Sequence, residues 1–122
     1  MADTKKILVV DDEVIMRDLL TDYFEMMDYG VMSAKDGSVA WELLTESQPS
    51  EYSLVITDIN MPKMGGIELS RLIKSKYPDL PIVLMTGYGI EKVKRDVEKA
   101  EGFLAKPFEL SILHELVEKI LG

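Results

Sequence analysis

Cysteine is absent from this chain. Disulfides, thiol nucleophiles and cysteine-ligated zinc are therefore excluded. Long apolar runs are absent as well. Ahead of the first acidic residues of the fold stands only Ile7-Leu8-Val9-Val10, too short for a signal peptide or a membrane span. Membrane insertion is not expected, and the cytoplasm is the default location. Positive charge is scarce: 14 Lys and Arg face 22 Asp and Glu, a formal net charge of −8. Such a surface repels a phosphate backbone, so direct nucleic-acid binding is not expected either. What is present is ordinary for a globular domain. The 122 residues are 47% hydrophobic and 30% charged, with no repeat, linker or biased segment. One domain over residues 1–122 with one core is expected.

Short apolar runs alternate with helical patterns. Ile7-Leu8-Val9-Val10 is apolar at every position and reads as a strand buried on both faces. Met16, Leu19, Leu20, Tyr23, Phe24 and Met27 recur at helical spacing over Val14 to Asp28, with Gly30 as the stop. Val31 to Ala34 is a weaker strand. Asp36-Gly37 marks a turn, and a helix to Glu46 follows with Ala40, Trp41 and Leu44 inward, broken at Gln48-Pro49-Ser50. Leu54 to Thr57 is the third strand, Met61 to Gly66 a loop, and Ile67 to Lys76 a helix with Leu69, Leu72 and Ile73 inward. Ile82 to Met85 is the fourth strand. A polar helix over Ile90 to Ala100 has a thin stripe of Ile90, Val93 and Val97, so it should be the least anchored. Phe103 to Ala105 is the last strand. Leu110 to Leu121 is the last helix, with Leu113, Val117 and Ile120 inward. The eight methionines read as gap-filling core on inward helical positions, and Trp41 as packing.

Five strand–helix units in a row imply an α/β fold with a parallel sheet covered on both faces. Ligands of such sheets sit beyond the carboxyl ends of the strands, where strand order switches. Asp11-Asp12-Glu13 follow the first strand, Asp58 the third, Thr86 the fourth and Lys106 the fifth. Singly, each aspartate could be a helix cap. Jointly, they bring carboxylates, a hydroxyl and an ammonium to one edge. An all-oxygen acidic site suits Mg²⁺, which binds through one or two carboxylates and is commonly completed by phosphate oxygens. One carboxylate is then the nucleophile. Asp58 is the best candidate, standing alone on a central strand between the acidic pair and Lys106.

The runs Ile7 to Glu13, Asp58-Ile59-Asn60-Met61-Pro62-Lys63-Met64-Gly65-Gly66, Met85-Thr86-Gly87 and Lys106-Pro107-Phe108 resemble, in order and spacing, the receiver domains of bacterial two-component signalling, single-domain chemotaxis regulators included. The resemblance covers essentially the whole chain. It implies a flavodoxin-like, doubly wound (βα)5 three-layer sandwich with a five-stranded parallel sheet in order 2-1-3-4-5. It implies that Asp58 accepts a phosphoryl group from a histidine kinase or histidine phosphotransfer protein. Mg²⁺ (or Mn²⁺) would be held by Asp12 directly, Asp11 through water, Asp58, and the Asn60 backbone carbonyl. Lys106 would pair with a phosphoryl oxygen, Thr86 would move to hydrogen-bond the group, and Phe103 would be the switch aromatic. Lys106-Pro107 would be a cis peptide. The fourth helix, fifth strand and fifth helix would form the surface that acts on a downstream effector; the oligomeric state is left open, with that surface the one on which two phosphorylated copies would dimerise.

Two departures from the family are small: Gly65 stands where a polar cap is common, and Tyr88 fills a variable position. By pattern alone Phe103 is core; its position in the family makes it a switch. Val14 and Ile15 are apolar, lie beside the acidic residues and fall outside the first helix's main stripe; they are read as a docking contact for the phosphodonor, against a bland reading as isolated surface hydrophobes. His114, the only histidine, lies on the last helix and is read as a surface or half-buried residue rather than a phosphotransfer residue. A haloacid-dehalogenase-like phosphohydrolase would need Asp at Asn60 as its general acid. A flavodoxin-like cofactor module would need a phosphate-binding loop where Asp11-Asp12-Glu13 stands. A receiver used only for protein contacts is disfavoured by the complete chemical set. The expected role is thus a signalling component rather than a turnover enzyme.

Overall fold

A computed structural model describes residues 5–46, 51–87, 89–97 and 99–122. The break expected at Gln48-Pro49-Ser50 and the position of Tyr88 lie outside them. In chain order the elements are β1 (Lys6–Val10), α1 (Val14–Met26), β2 (Gly30–Ala34), α2 (Gly37–Glu46), β3 (Leu54–Asp58), α3 (Gly66–Lys76), β4 (Ile82–Thr86), α4 (Ile90–Asp96), β5 (Gly102–Ala105) and α5 (Leu110–Leu121). All strand pairs are parallel, in the order β2-β1-β3-β4-β5. The chain leaves β1 for the edge strand β2 and returns on the other side of β1 as β3. The switch in strand order therefore falls between β1 and β3.

Alternation along the strands builds two apolar layers. Leu8, Val10, Val55, Ile82 and Leu84 face Ala40 and Leu44 of α2, Leu69 and Ile73 of α3, and Val93 of α4. Ile7, Val9, Ile56, Val83 and Met85 face Leu20 and Phe24 of α1 and Leu113 and Val117 of α5. Every residue of the central strands β3 and β4 is buried. Continuous apolar runs were the right strand signal because both faces carry helices. Among the described residues, no helix is long and apolar enough to cross a membrane.

Several expected details differ. α1 ends at Met26, and Gly30 does not terminate it. Asp28 makes the left-handed step at φ 66°, a conformation that a short polar side chain tolerates. Gly30 already belongs to β2, its N–H donating to the Lys5 carbonyl at 2.8 Å. Leu19 and Met27 are exposed rather than inward; Leu20 and Phe24 suffice to cover the strands. α4 stops at Asp96, short of Ala100. Val97 caps it with its side chain buried, which turns the chain toward β5. The methionines are not a helical core set. Met26, Met27 and Met32 are exposed, Met61 and Met64 pack from a loop, Met85 is in a strand, and Met16 alone is a partly buried helix position among the described residues. Trp41 packs against the α2–α3 side of the core, 6.0 Å from the Tyr77 ring. His114, in agreement with expectation, is half-buried, its Nδ1 2.9 Å from the Tyr23 hydroxyl.

Asp36 does more than mark a turn. Its Oδ1 accepts the Val39 N–H at 3.0 Å and the Ser38 hydroxyl at 2.6 Å, so it is the N-cap of α2. The Ser38 hydrogen bond, outweighing the cost of burial, holds its carboxyl below the ordinary aspartate value. A depressed folded-state pKa adds stability that is full above the unfolded pKa and is lost as pH falls through the folded one. Asp36→Ala should therefore lower the unfolding free energy at neutral pH by about 1 kcal/mol, the usual worth of such a cap. Urea titrations should show that deficit shrinking as pH drops below the ordinary aspartate range.

Candidate functional site at the carboxyl edge of the sheet

The strand register brings the expected residues together. Val10 pairs with Thr57, Asp58 with Met85, and Thr86 with Ala105. The residues that end or follow β1, β3, β4 and β5 therefore share one edge, on the β1/β3 switch point. Asp11 is fully buried. Its Oδ1 accepts the Glu13 N–H at 2.9 Å, and its Oδ2 accepts from Lys106 Nζ at 2.8 Å. Asp58 is 7% exposed, with Oδ1 3.3 Å from the same Nζ. Glu13 Oε1 is 3.8 Å away from it. Asp12 is exposed at the rim. Asp11, Asp12 and Asp58 each offer one carboxylate oxygen, and these lie within 4.8 Å of one another.

The charges are unevenly matched. Burial pushes the Asp58 carboxyl above its ordinary value, Lys106 pulls it down, and Asp11 pushes it up again; the net direction is up. Burial works to lower Lys106, but hydrogen bonding and charge from Asp11, then Asp58, outweigh it and raise the ammonium. The ammonium thus stays charged, sits closer to Asp11 than to Asp58, and leaves Asp58 under-compensated. Converging hard oxygens with a deficit of positive charge are what a divalent cation of the Mg²⁺ type requires. Both Asp11 oxygens already accept hydrogen bonds, whereas Asp12 faces solvent at the rim.

The other expected residues are positioned by β4, β5, α1 and the loop after β3. Thr86 is buried at the end of β4, and its carbonyl accepts the Lys106 N–H at 2.7 Å. The Lys106-Pro107 peptide is cis. Phe103 is half-buried in β5 beside Leu84, on the sheet face that carries α4. Thr86 is two residues beyond Leu84 and shares that face. Asn60 is exposed in the loop after β3. Val14 and Ile15 are 58% and 84% exposed at the start of α1, next to Asp12 and Glu13 in the chain.

Two contributors escaped sequence reasoning. Arg17 Nη1 donates to the Asp11 backbone carbonyl at 2.6 Å, tying α1 to the turn that carries the acidic residues. A basic residue one turn into the helix after a strand-end acid was the available signal, since helical side chains tilt back toward the N-terminus. Gly66 is the second. Its N–H donates to the Ile59 carbonyl at 2.9 Å, and a Cβ there would overlap the Asp58 carbonyl oxygen. The start of α3 is therefore pressed onto the backbone of Asp58, which only glycine allows.

Comparison with known proteins gives a consistent result. The family model described as "Response regulator receiver domain" matches residues 7–118. The chain is 35% identical over 122 residues to a chemotaxis protein CheY homolog of Campylobacter jejuni, covering 96% of this chain and 92% of that one. It is 37% identical over 119 residues to the response regulator receiver protein CpdR of Brucella abortus, covering 96% and 97%. Among solved structures, the response regulator TrrA of Thermotoga maritima, in complex with Mg²⁺ and BeF, is 33% identical with a TM-score of 0.86, covering 96% of this chain and 99% of that one.

The charge imbalance has a measurable consequence. Asp58→Asn, which removes a buried and under-compensated charge at nearly constant shape, should raise the thermal midpoint in metal-free buffer. A rise of a few °C corresponds to about 1 kcal/mol in a domain of this size. Added Mg²⁺ should raise the midpoint of the parent chain and have much less effect on the variant. Differential scanning calorimetry with and without a chelator checks both signs.

Proposed function

Because the chain belongs to the response regulator receiver family, and is thus a receiver domain of a two-component system, we propose that Asp58 is its phosphoacceptor. The observation that carries this reading is the convergence of Asp11, Asp12 and Asp58 oxygens within 4.8 Å around one buried lysine. Asp58 Oδ attacks the phosphorus of a phosphohistidine on a sensor kinase or phosphotransfer protein. A P–O bond to Asp58 forms, the P–N bond breaks, and the imidazole leaves with the bonding pair and takes up a proton. When bound, Mg²⁺ (or Mn²⁺) supplies positive charge to the transferring phosphoryl oxygens. Asp11, Asp12, Asp58 and the Asn60 carbonyl are the groups that would hold it; the carboxylate cluster and the Mg²⁺–BeF complex of the TrrA relative support this assignment.

The protein's own groups do the rest. Lys106 shifts from its two carboxylates onto a phosphoryl oxygen. Thr86 donates its hydroxyl to the new group, and Phe103, on the same face of the sheet, moves with it. The surface of α4, β5 and α5 then changes toward a downstream effector, and two copies pair through it. The added charge and acceptor oxygens are the physical input to that change. We read residues 1–122 as one receiver domain residing in the cytoplasm. It promotes its own phosphorylation and dephosphorylation without turning over a separate substrate. Asn60, where a phosphohydrolase would carry its acid, supports that distinction.

Beryllofluoride with Mg²⁺ should shift the NMR resonances of Asp58, Thr86 and Phe103 together; unchanged spectra at all three would overturn the reading. A phosphohistidine donor should label the parent chain, while labelling of Asp58→Asn should fall to background with its fold retained. The exposed Val14 and Ile15 are assigned to docking of the donor. Ile15→Ser should slow transfer from the donor protein about tenfold or more by loss of apolar contact, yet leave labelling by a small-molecule phosphodonor unchanged. Stopped-flow and radiolabel assays separate the two routes.

A further inference from the structure

The carboxyl edge of the sheet is acidic, but the far ends of α3 and α4 enclose a cleft of the opposite sign. A cavity of ≈ 470 Å³ lies between the second half of α3 and the chain leaving α4. Helices of a parallel sheet run opposite to its strands, so this cleft is remote from Asp58. Arg71, Lys74, Arg95 and Lys99 line it, with Asp96 as the one acid among the described lining residues. That is a local reversal of sign in a chain of net charge −8.

Lys74 is already committed. Its Nζ donates to Glu101 at 2.8 Å, the Leu80 carbonyl at 3.0 Å and the Pro78 carbonyl at 3.3 Å. Arg71, Arg95 and Lys99 are exposed, and among the described residues none has an ion-pair partner. Compensation of helix dipoles explains cations in the last turn of a helix, which covers Lys74 and Arg95. It does not cover Arg71 in the middle of α3, or Lys99 beyond the end of α4. Ser70 also lines the cleft, fully buried, and its hydroxyl is unpartnered among the described residues, an exception to the rule that such groups are satisfied.

We propose that this cleft binds a small phosphate-bearing polyanion, of a size between pyrophosphate and a nucleotide, through Arg71, Arg95 and Lys99. Two planar guanidinium groups and an ammonium around a concave space match the geometry of phosphate oxygens. The volume falls in the range of small-molecule sites rather than of flat protein contacts. The inference stands independently of the role of Asp58.

The test uses inorganic pyrophosphate and isothermal titration calorimetry on the full chain, with EDTA present to keep metal–phosphate species out of the acidic site. The parent chain should bind. The triple variant Arg71→Gln, Arg95→Gln, Lys99→Gln should bind at least about tenfold more weakly, as expected for loss of charge-assisted contacts. A control with the same three charges removed elsewhere, Lys35→Gln, Lys63→Gln and Lys119→Gln, should stay within about twofold of the parent, since remote exposed charges are screened. Asp58→Asn should bind as the parent does. All six basic positions are exposed, so folded variants are expected, and circular dichroism verifies them. Absence of binding at millimolar pyrophosphate, equal loss in both triple variants, or loss in Asp58→Asn would overturn the proposal. Binding of polyglutamate without pyrophosphate would also overturn it and make the cleft a contact for an acidic protein.

Discussion

One ammonium group has to serve two buried carboxylates. Lys106 reaches from the end of β5 to Asp11 after β1 at 2.8 Å and to Asp58 at the end of β3 at 3.3 Å. Without it, two buried acids would face each other across the switch point, and neither could stay ionised cheaply. With it, the edge is held together but not neutralised. The surplus falls on Asp58, whose carboxyl burial drives upward in pKa despite the nearby cation. The rest of the site follows from that deficit. Oxygen donors that converge and lack a counter-charge are a standing invitation to a hard cation, and then to the anion such a cation carries.

The fold was legible in the sequence to the extent that burial on both faces writes continuous apolar runs. Ile7 to Val10, Leu54 to Thr57 and Ile82 to Met85 could hardly be anything but central strands. Helix ends were less legible because packing, not propensity, fixes them. Gly30 looked like a helix stop, yet the pairing of β2 with β1 uses it and leaves Asp28 to take the left-handed turn. α4 was read four residues too long because its polar continuation has helical character. Val97 is instead drawn into the core and turns the chain. Of the site, strand-end chemistry was readable because a parallel sheet delivers every strand's carboxyl end to the same edge. The preference of Lys106 for Asp11, the Arg17 contact to the Asp11 carbonyl and the close approach of Gly66 were not. Each depends on distances between chain segments that no local pattern encodes.

Two helices on one face of the sheet, α3 and α4, are held very differently. α3 begins at Gly66, pressed onto the backbone of Asp58. Its far end is pinned by Lys74, which bonds two carbonyls of the loop before β4 and Glu101 before β5, while Glu101 Oε1 accepts the Ile82 N–H at 2.8 Å. α4 has only seven residues, and within them only Val93 is buried. A helix of that length has little stability of its own and relies on packing.

This asymmetry decides where a change at the site can go. A shift of charge or position at Asp58 meets a rigid neighbour in α3, whose glycine contact leaves no slack. It meets a compliant one through Thr86, which ends β4 just before the short glycine-containing turn into α4 and shares a sheet face with Phe103. Lys106 links the same two places, since its ammonium touches Asp58 while its backbone N–H is held by the Thr86 carbonyl. No long pathway is needed. On the reading proposed for Asp58, drawing the ammonium onto a phosphoryl oxygen would perturb the β4–β5 edge directly. The helix free to respond there is α4, because its neighbour α3 is held at both ends.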